Sequence, residues 1–434
     1  MKKERGLREL YEQDPIAADE AVFGRRSGHD RRGFLKGAGL AAMGAALGST
    51  LPFGRTMPAG LIPAALADSL EDFVIEGKNG LTVLNDKPVN AETPPHLLDD
   101  DITPIKHYFI RNNGVPPQDI SPDGWRLTVD GEVNEALDLS IQDLADRFEV
   151  VTLRLQHECG GNGRAGFNPP ASGNQWTTGA IGNAEWTGVR MRDVLNAAGI
   201  KDSALYTAHY GADSHLSGDP NKRPISRGVP IWKAMDPHTL IVWQMNGQDI
   251  HPMNGAPLRI LCPGWPGSTS QKWLTRIQVR DVIHDGTKMA APSYSVPMYS
   301  VQPGAEVETS DFKVIESMPV KSLITYPRSG HRLPTGHRIL RVRGHAWSGD
   351  DVVTALDISY DFGATWTRAD LQAPPNRYSW QRWEAEITFP TKGYYEIWAR
   401  ATNHRGQQQP FVPPWNPKGY LNNAMHRIAV MVPA

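Results

Sequence analysis

His157-Glu158-Cys159-Gly160-Gly161-Asn162-Gly163-Arg164 closes a β-rich run, Val150-Val-Thr-Leu-Arg-Leu-Gln156. The β-branched residues and leucines of that run fit a strand. Its end delivers Cys159 to a loop whose glycines let backbone approach a ligand closely. Arg164 nearby favours the thiolate, the form of cysteine that binds soft metals. One cysteine cannot hold zinc or an iron–sulfur cluster alone. Cys159 is therefore either a structural thiol in a tight turn or the protein's ligand to a cofactor that brings further ligands of its own. The residue types leave both open. His157 is expected to point away from the Cys159 side of the strand, either supporting the ligand from behind or in a structural role.

The 434 residues carry 45 Lys and Arg against 47 Asp and Glu, a formal charge of −2, which leaves no electrostatic footprint for nucleic acid. Two cysteines, Cys159 and Cys262, exclude a disulfide framework, and no C-x-x-C-H stretch is present to attach a c-type haem. Cys262, inside Arg-Ile-Leu-Cys-Pro, reads as a core thiol. With 41 glycines and 35 prolines the expectation is a loop-rich, largely β protein. A mean hydropathy of −0.43 argues against multiple membrane spans.

Three segments follow. Residues 28–48 place Arg31-Arg32 before Gly-Phe-Leu-Lys and a weakly apolar Ala/Gly stretch, a pattern that resembles a twin-arginine export signal, with Ala65-Leu66-Ala67 as a small-residue cleavage site. Glycines and Pro52 interrupt the apolar run, so no membrane span is expected in the mature form. Residues 1–67 thus form an export signal and imply a periplasmic protein. Residues 68–310 mix strands with short helices, at Ser140–Phe148 and at Met191–Ala198 ahead of Gly199. Residues 311–434 contain period-two runs and no helical period, which predicts an immunoglobulin-like β-sandwich. The fold class is α+β.

The Cys159 loop resembles the molybdenum-ligating loop of the sulfite oxidase family of molybdopterin enzymes. Further matches are Phe109-Ile-Arg-Asn-Asn113, Gly173-Asn-Gln-Trp176, Glu185-Trp-Thr-Gly-Val-Arg190, Ala234-Met-Asp-Pro237, Met245-Asn-Gly-Gln248, Lys272-Trp-Leu274 and Trp415-Asn-Pro-Lys-Gly419. They run in order from about residue 105 to the C-terminus. The wording around Cys159 is closer to the bacterial Sox-type sulfane or sulfite dehydrogenases of that family. The resemblance implies a mixed α/β molybdopterin-binding domain, then a dimerisation sandwich. It assigns Cys159 to molybdenum, and Phe109, Ile110, Arg111, Asn112, Asn113, Asp213, Asn254, Arg259, Ser270, Gln271 and Lys272 to the pterin and its phosphate. Arg111 and Arg164 correspond to guanidinium groups facing an oxyanion substrate, Tyr294 to the active-site tyrosine, Trp176 to a pocket wall, and Lys418 to a substrate-site arginine.

Three departures stand out. Asn113 and Asn254 replace histidines, Lys418 keeps a charge but loses the guanidinium fork, and Ser172 stands about where a pocket lysine is expected. They predict a less basic pocket that suits a substrate larger or less charged than sulfite. The implied reaction is oxidation at sulfur with oxygen from water. Electrons pass to a separate c-type cytochrome, from a homodimer or a heterotetramer containing the cytochrome. Two alternatives are a sulfoxide reductase of the same fold, which resembles only the central domain, and an exported binding protein without molybdenum.

Overall fold

The computed structural model describes residues 6–24 and 73–434. The architecture is α+β, mostly sheet with few and short helices. In the first domain the Val150–Glu158 strand pairs antiparallel along its whole length with Ile181–Arg190, which pairs in turn with Leu240–Met245; Arg259–Leu261 adds to that last strand. A second sheet orders Leu137–Leu139, Leu127–Gly131, Leu274–Arg280 and Tyr206–Gly211, with one parallel pairing in its middle. The small sheet of Thr82–Asp86, Val89–Glu92 and Ile110–Arg111 brings Arg111 beside Asn90.

The helices have local causes. Ser140 and Asp143 form a reciprocal capping box that starts Ile141–Arg147. Met191–Ala198 buries Met191, Val194, Leu195 and Ala198, one face at helical spacing, and stops at Gly199 in the left-handed region. Their apolar faces share one core with both main sheets, and Cys262 sits in it. Burial pushes the Cys262 thiol up to about 12, so it stays protonated.

From residue 321 onward two sheets face each other, antiparallel except for the parallel pairing of His331–Arg332 with His426–Val432. One holds Lys321–Tyr326, Ile339–Trp347, Gln381–Thr388 and Asp370–Leu371; the other holds His331–Arg332, His426–Val432, Gly393–Asn403, Val353–Ser359 and Thr367–Arg368. Leu340, Val342, Leu356, Ile397 and Ile428 fill the space between. Alternation in Ile339–Trp347 is lost from Gly344 onward, where consecutive residues are buried. There the outer face meets the first domain: Trp347 and Trp380 cluster with Leu98 and Ile181, and Trp347 donates to Glu158 at 2.9 Å.

Residues 6–24, inside the segment read as an export signal, are folded onto this sandwich. Asp14 caps Pro15–Phe23, with Gly24 at its end. Tyr11 and Ala18 pack on Ala429 and Met431, and Glu12 pairs with Arg332 at 2.9 Å. The arginine pair Arg31-Arg32, the apolar stretch and Ala65–Ala67 lie outside the described residues.

Candidate active site

Phe109, Arg111, Asn113, His157, Cys159, Asp213, Arg259, Ser270, Gln271, Lys272 and Tyr294, drawn from six separate stretches of chain, line one cavity. Strand Val150–Glu158 carries Cys159 to its rim, and the backbone of Cys159 is held by Ala180 O. His157 lies on the same wall, stacked on Phe109 at 5.3 Å. That corrects the expectation that it turns away. Residues two apart on a strand share a face, and Glu158 is the one that points elsewhere. Burial, then the Arg259 charge, holds His157 well below the ordinary imidazole range. Arg259 Nη2 lies 3.4 Å from its Nε2.

Arg111 donates to Asn113 Oδ1 at 2.8 Å and to the Tyr294 hydroxyl at 3.2 Å. Lys288 donates to the same Asn113 oxygen at 2.9 Å. Tyr294 has a left-handed backbone (φ 46°), uncommon for a side chain of its size and fixed here by packing. Burial raises its pKa, but Arg111 and Lys288 outweigh this and lower it. Tyr294 and Cys159 together raise that of Arg111 despite its burial.

Ile110, Asn112 and Asn254 stand behind the cavity wall. Asn254 donates to Phe109 O at 2.9 Å and accepts from Lys78 at 2.5 Å, while Asn112 accepts from Lys272 Nζ. Burial brings Lys78 down to about 7. Trp176 is fully buried in the apolar cluster that contains Cys159. Arg164 and Lys418 are placed around the Cys159 loop: Arg164 donates to Lys418 O at 2.8 Å and Asn174 O at 3.0 Å. A Cβ on Gly161, Gly173 or Gly419 would come within 2.9 Å of the Arg164 side chain, and at Gly173 and Gly419 the left-handed backbone also calls for glycine. Asn422 donates to Gly163 O at 2.7 Å and Leu421 N to Gly160 O at 3.1 Å, so the second domain closes directly on the loop.

Arg111, Arg259 and Lys272 line the cavity with Asp213 as its single carboxylate, while Lys288 and Arg227, neither singled out from sequence, lie against two of its lining residues, Asn113 and Tyr294. Lys288 has no local signature, since its partner Asn113 lies 175 positions away. Among the residues that line the cavity, two buried side-chain atoms, His157 Nδ1 and Asp213 Oδ1, have no partner among the described residues. Burial raises Asp213 to about 6. A polar-edged heterocycle bearing a phosphate, with two thiolates to share a soft metal with Cys159, fits this donor set and its surplus positive charge.

Residues 112–288 match the family described as oxidoreductase molybdopterin binding domain, and residues 312–433 match the Mo-co oxidoreductase dimerisation domain. Fold and site thus define a molybdopterin oxidoreductase. Sulfite oxidase of Gallus gallus is 33% identical over 363 residues, spanning 80% of this chain and 77% of that one. Mitochondrial sulfite oxidase of Homo sapiens is 34% identical over 377 residues, spanning 81% and 66%. The crystal structure of the sulfane dehydrogenase SoxCD from Paracoccus pantotrophus shares the fold, with a TM-score of 0.67 at 24% identity over 88% of this chain and 95% of that one. The chain belongs to the sulfite oxidase family.

Proposed function

We propose that this protein oxidises a sulfur oxyanion or sulfane sulfur, taking the oxygen from water, in the periplasm after export by the twin-arginine route. For sulfite the balance is sulfite plus water to sulfate, two protons and two electrons. The observation that carries the reading is the convergence of Arg111, Asn113, Lys288 and Tyr294 on the cavity that Cys159 lines. The molybdenum–pterin group, when bound, supplies the two-electron oxygen-transfer chemistry.

Phe109, Asp213, Arg259, Ser270, Gln271 and Lys272 would hold the pterin and its phosphate, and Cys159 the metal. The protein's own contribution is electrostatic. Arg111, doubly tied to Asn113 and Tyr294, presents its guanidinium without reorganising, and such preorganised donors stabilise charge that develops on an oxyanion. Tyr294, its phenol proton loosened by Arg111 and Lys288, sits where it can hydrogen-bond the substrate and take up or return a proton. Burial around Phe109 and Trp176 excludes bulk water and strengthens each of these interactions.

Electrons leave to a c-type cytochrome, as an acceptor or as the second subunit of a heterotetramer, and the C-terminal sandwich forms a homodimer. The export-signal pattern of residues 28–48 and the dimerisation-domain match support these assignments. Purified protein is given sulfite or thiosulfate with oxidised cytochrome c. Substrate-dependent cytochrome reduction, with a KM raised at least tenfold in Arg111→Met, is the expected result. Reduction of a sulfoxide by the molybdenum-loaded protein with a viologen donor, and no sulfur oxidation, would overturn the reading.

A further inference from the structure

Arg227 is 1% exposed, yet among the described residues no carboxylate pairs with it. Its one hydrogen bond is from Nη1 to Ser268 Oγ at 3.3 Å, and its Nε has no partner. The guanidinium carbon lies 4.8 Å from the Tyr294 ring centroid. Tyr294 stacks on Tyr420 at 5.5 Å, and Arg164 lies 4.9 Å from the Tyr420 ring. The two tyrosines thus each carry a buried or half-buried guanidinium, and Tyr294 and Ser268 line the cavity. Arg227 is held from behind, since its carbonyl accepts from His209 N at 2.7 Å and Val229 O accepts from Thr207 N at 2.8 Å beside the Tyr206–Gly211 strand.

A guanidinium buried with one long hydrogen bond and no counter-charge is a costly arrangement. Burial lowers the Arg227 pKa, and the groups that oppose the shift are tyrosines, Tyr294 first. Its position gives the cost a purpose. Lys418, in the place of a fork-bearing arginine, makes no side-chain hydrogen bond among the described residues, and its backbone oxygen accepts from Arg164.

We propose that Arg227 is a specificity-determining anion-binding residue of this site, its guanidinium completed by an anionic group that enters the cavity beside Tyr294 and Ser268. The anion is either a free tetrahedral oxyanion of the substrate class or an anionic group of the pterin cofactor. This deepens the proposed function and rests on it.

The test compares wild type, Arg227→Met and Arg227→Lys, all expressed in cells that make the cofactor. Molybdenum and pterin content are measured, inorganic sulfate binding is followed by calorimetry, and thermal midpoints are recorded for cofactor-free protein. Sulfate bound about 10- to 100-fold more weakly by Arg227→Met at full cofactor content places the anion on the substrate side. Lost cofactor with unchanged sulfate affinity in the remaining loaded fraction places it on the cofactor. In both cases Arg227→Lys recovers only part of the effect, because a lysine keeps charge without the fork. Cofactor-free Arg227→Met is expected to melt at or above the wild-type midpoint, since it removes an uncompensated buried charge. Unchanged sulfate affinity and cofactor content, or a lower midpoint shared by both variants with no binding change, would show a merely structural arginine and overturn the proposal. Wild-type protein without any pterin would instead overturn the functional reading on which it rests.

Discussion

Replacing Lys321 by Met tests whether the second domain holds the Cys159 strand in place. Lys321 Nζ lies 2.6 Å from Glu158 Oε1, with side-chain exposures of 6% and 0%. Glu158 also accepts from Asn162 Nδ2 and from Trp347 Nε1, both at 2.9 Å. Met keeps the apolar stem and removes the charge, so the carboxylate retains two neutral donors and loses its counter-ion in a site closed to water. Breaking a buried pair from one side costs about 3–5 kcal/mol. At roughly 2.1 cal/mol/K per residue over a body of about 360 residues, this corresponds to a fall in midpoint of about 5 °C. Glu158→Gln strands Lys321 and is expected to cost a similar amount. The double variant is expected to recover most of the loss, to within about 1–2 kcal/mol of wild type, because no bare charge remains. Urea unfolding followed by circular dichroism measures all four proteins, and cofactor content is recorded beside it. If Lys321→Met unfolds within about 1 kcal/mol of wild type, or if the two single losses simply add, the pair does not tie the domains together as argued.

Three further outcomes are expected. Burial, then the Arg382 charge, depresses His345 to about 4, so its contribution to stability is present above pH 6.5 and is lost as pH falls toward 4. The stability difference between wild type and His345→Phe, from urea titrations at several pH values, is flat above pH 7. It then falls by up to about 1.4 kcal/mol per pH unit below 6.5. Gly419→Ala places a Cβ 2.7 Å from Arg164 Cγ at a φ of +58°. It costs about 1–3 kcal/mol in strain and raises KM for the oxyanion, whereas Gly6→Ala, with open space around it and no left-handed backbone, changes neither stability nor KM. Cys262, 1% exposed and with its pKa near 12, resists N-ethylmaleimide in native protein and reacts on unfolding, as mass spectrometry will show.

The sheets were legible where one face meets a core and the other meets water. The period-two runs at Ile339–Trp347 and Gln381–Thr388 are strands because Leu340, Val342, Trp383 and Ile387 all enter one core. Local chemistry likewise marks the ends of Ile141–Arg147 and Met191–Ala198. Residues 6–24 show the same kind of signal: Asp14-Pro15 is a helix start and Gly24 a helix stop. Its packing on Ala429 and Met431, however, depends on partners more than 400 positions away. In the site, the Cys159 loop and Arg111 carry recognisable sequence wording. Arg227 and Lys288 do not, because what gives them meaning is the Tyr294 ring and the Asn113 oxygen, brought to them by the fold. His157 needed only the strand period to be placed on the cavity wall.

Molybdenum and pterin analysis of the purified protein, combined with X-ray absorption at the molybdenum edge, tests the central claim. The account predicts one molybdenum and one pterin per chain, with three sulfur ligands in wild type and two in Cys159→Ser. Well-folded, metal-free protein from cells that make the cofactor, or the same sulfur count in both proteins, would contradict it.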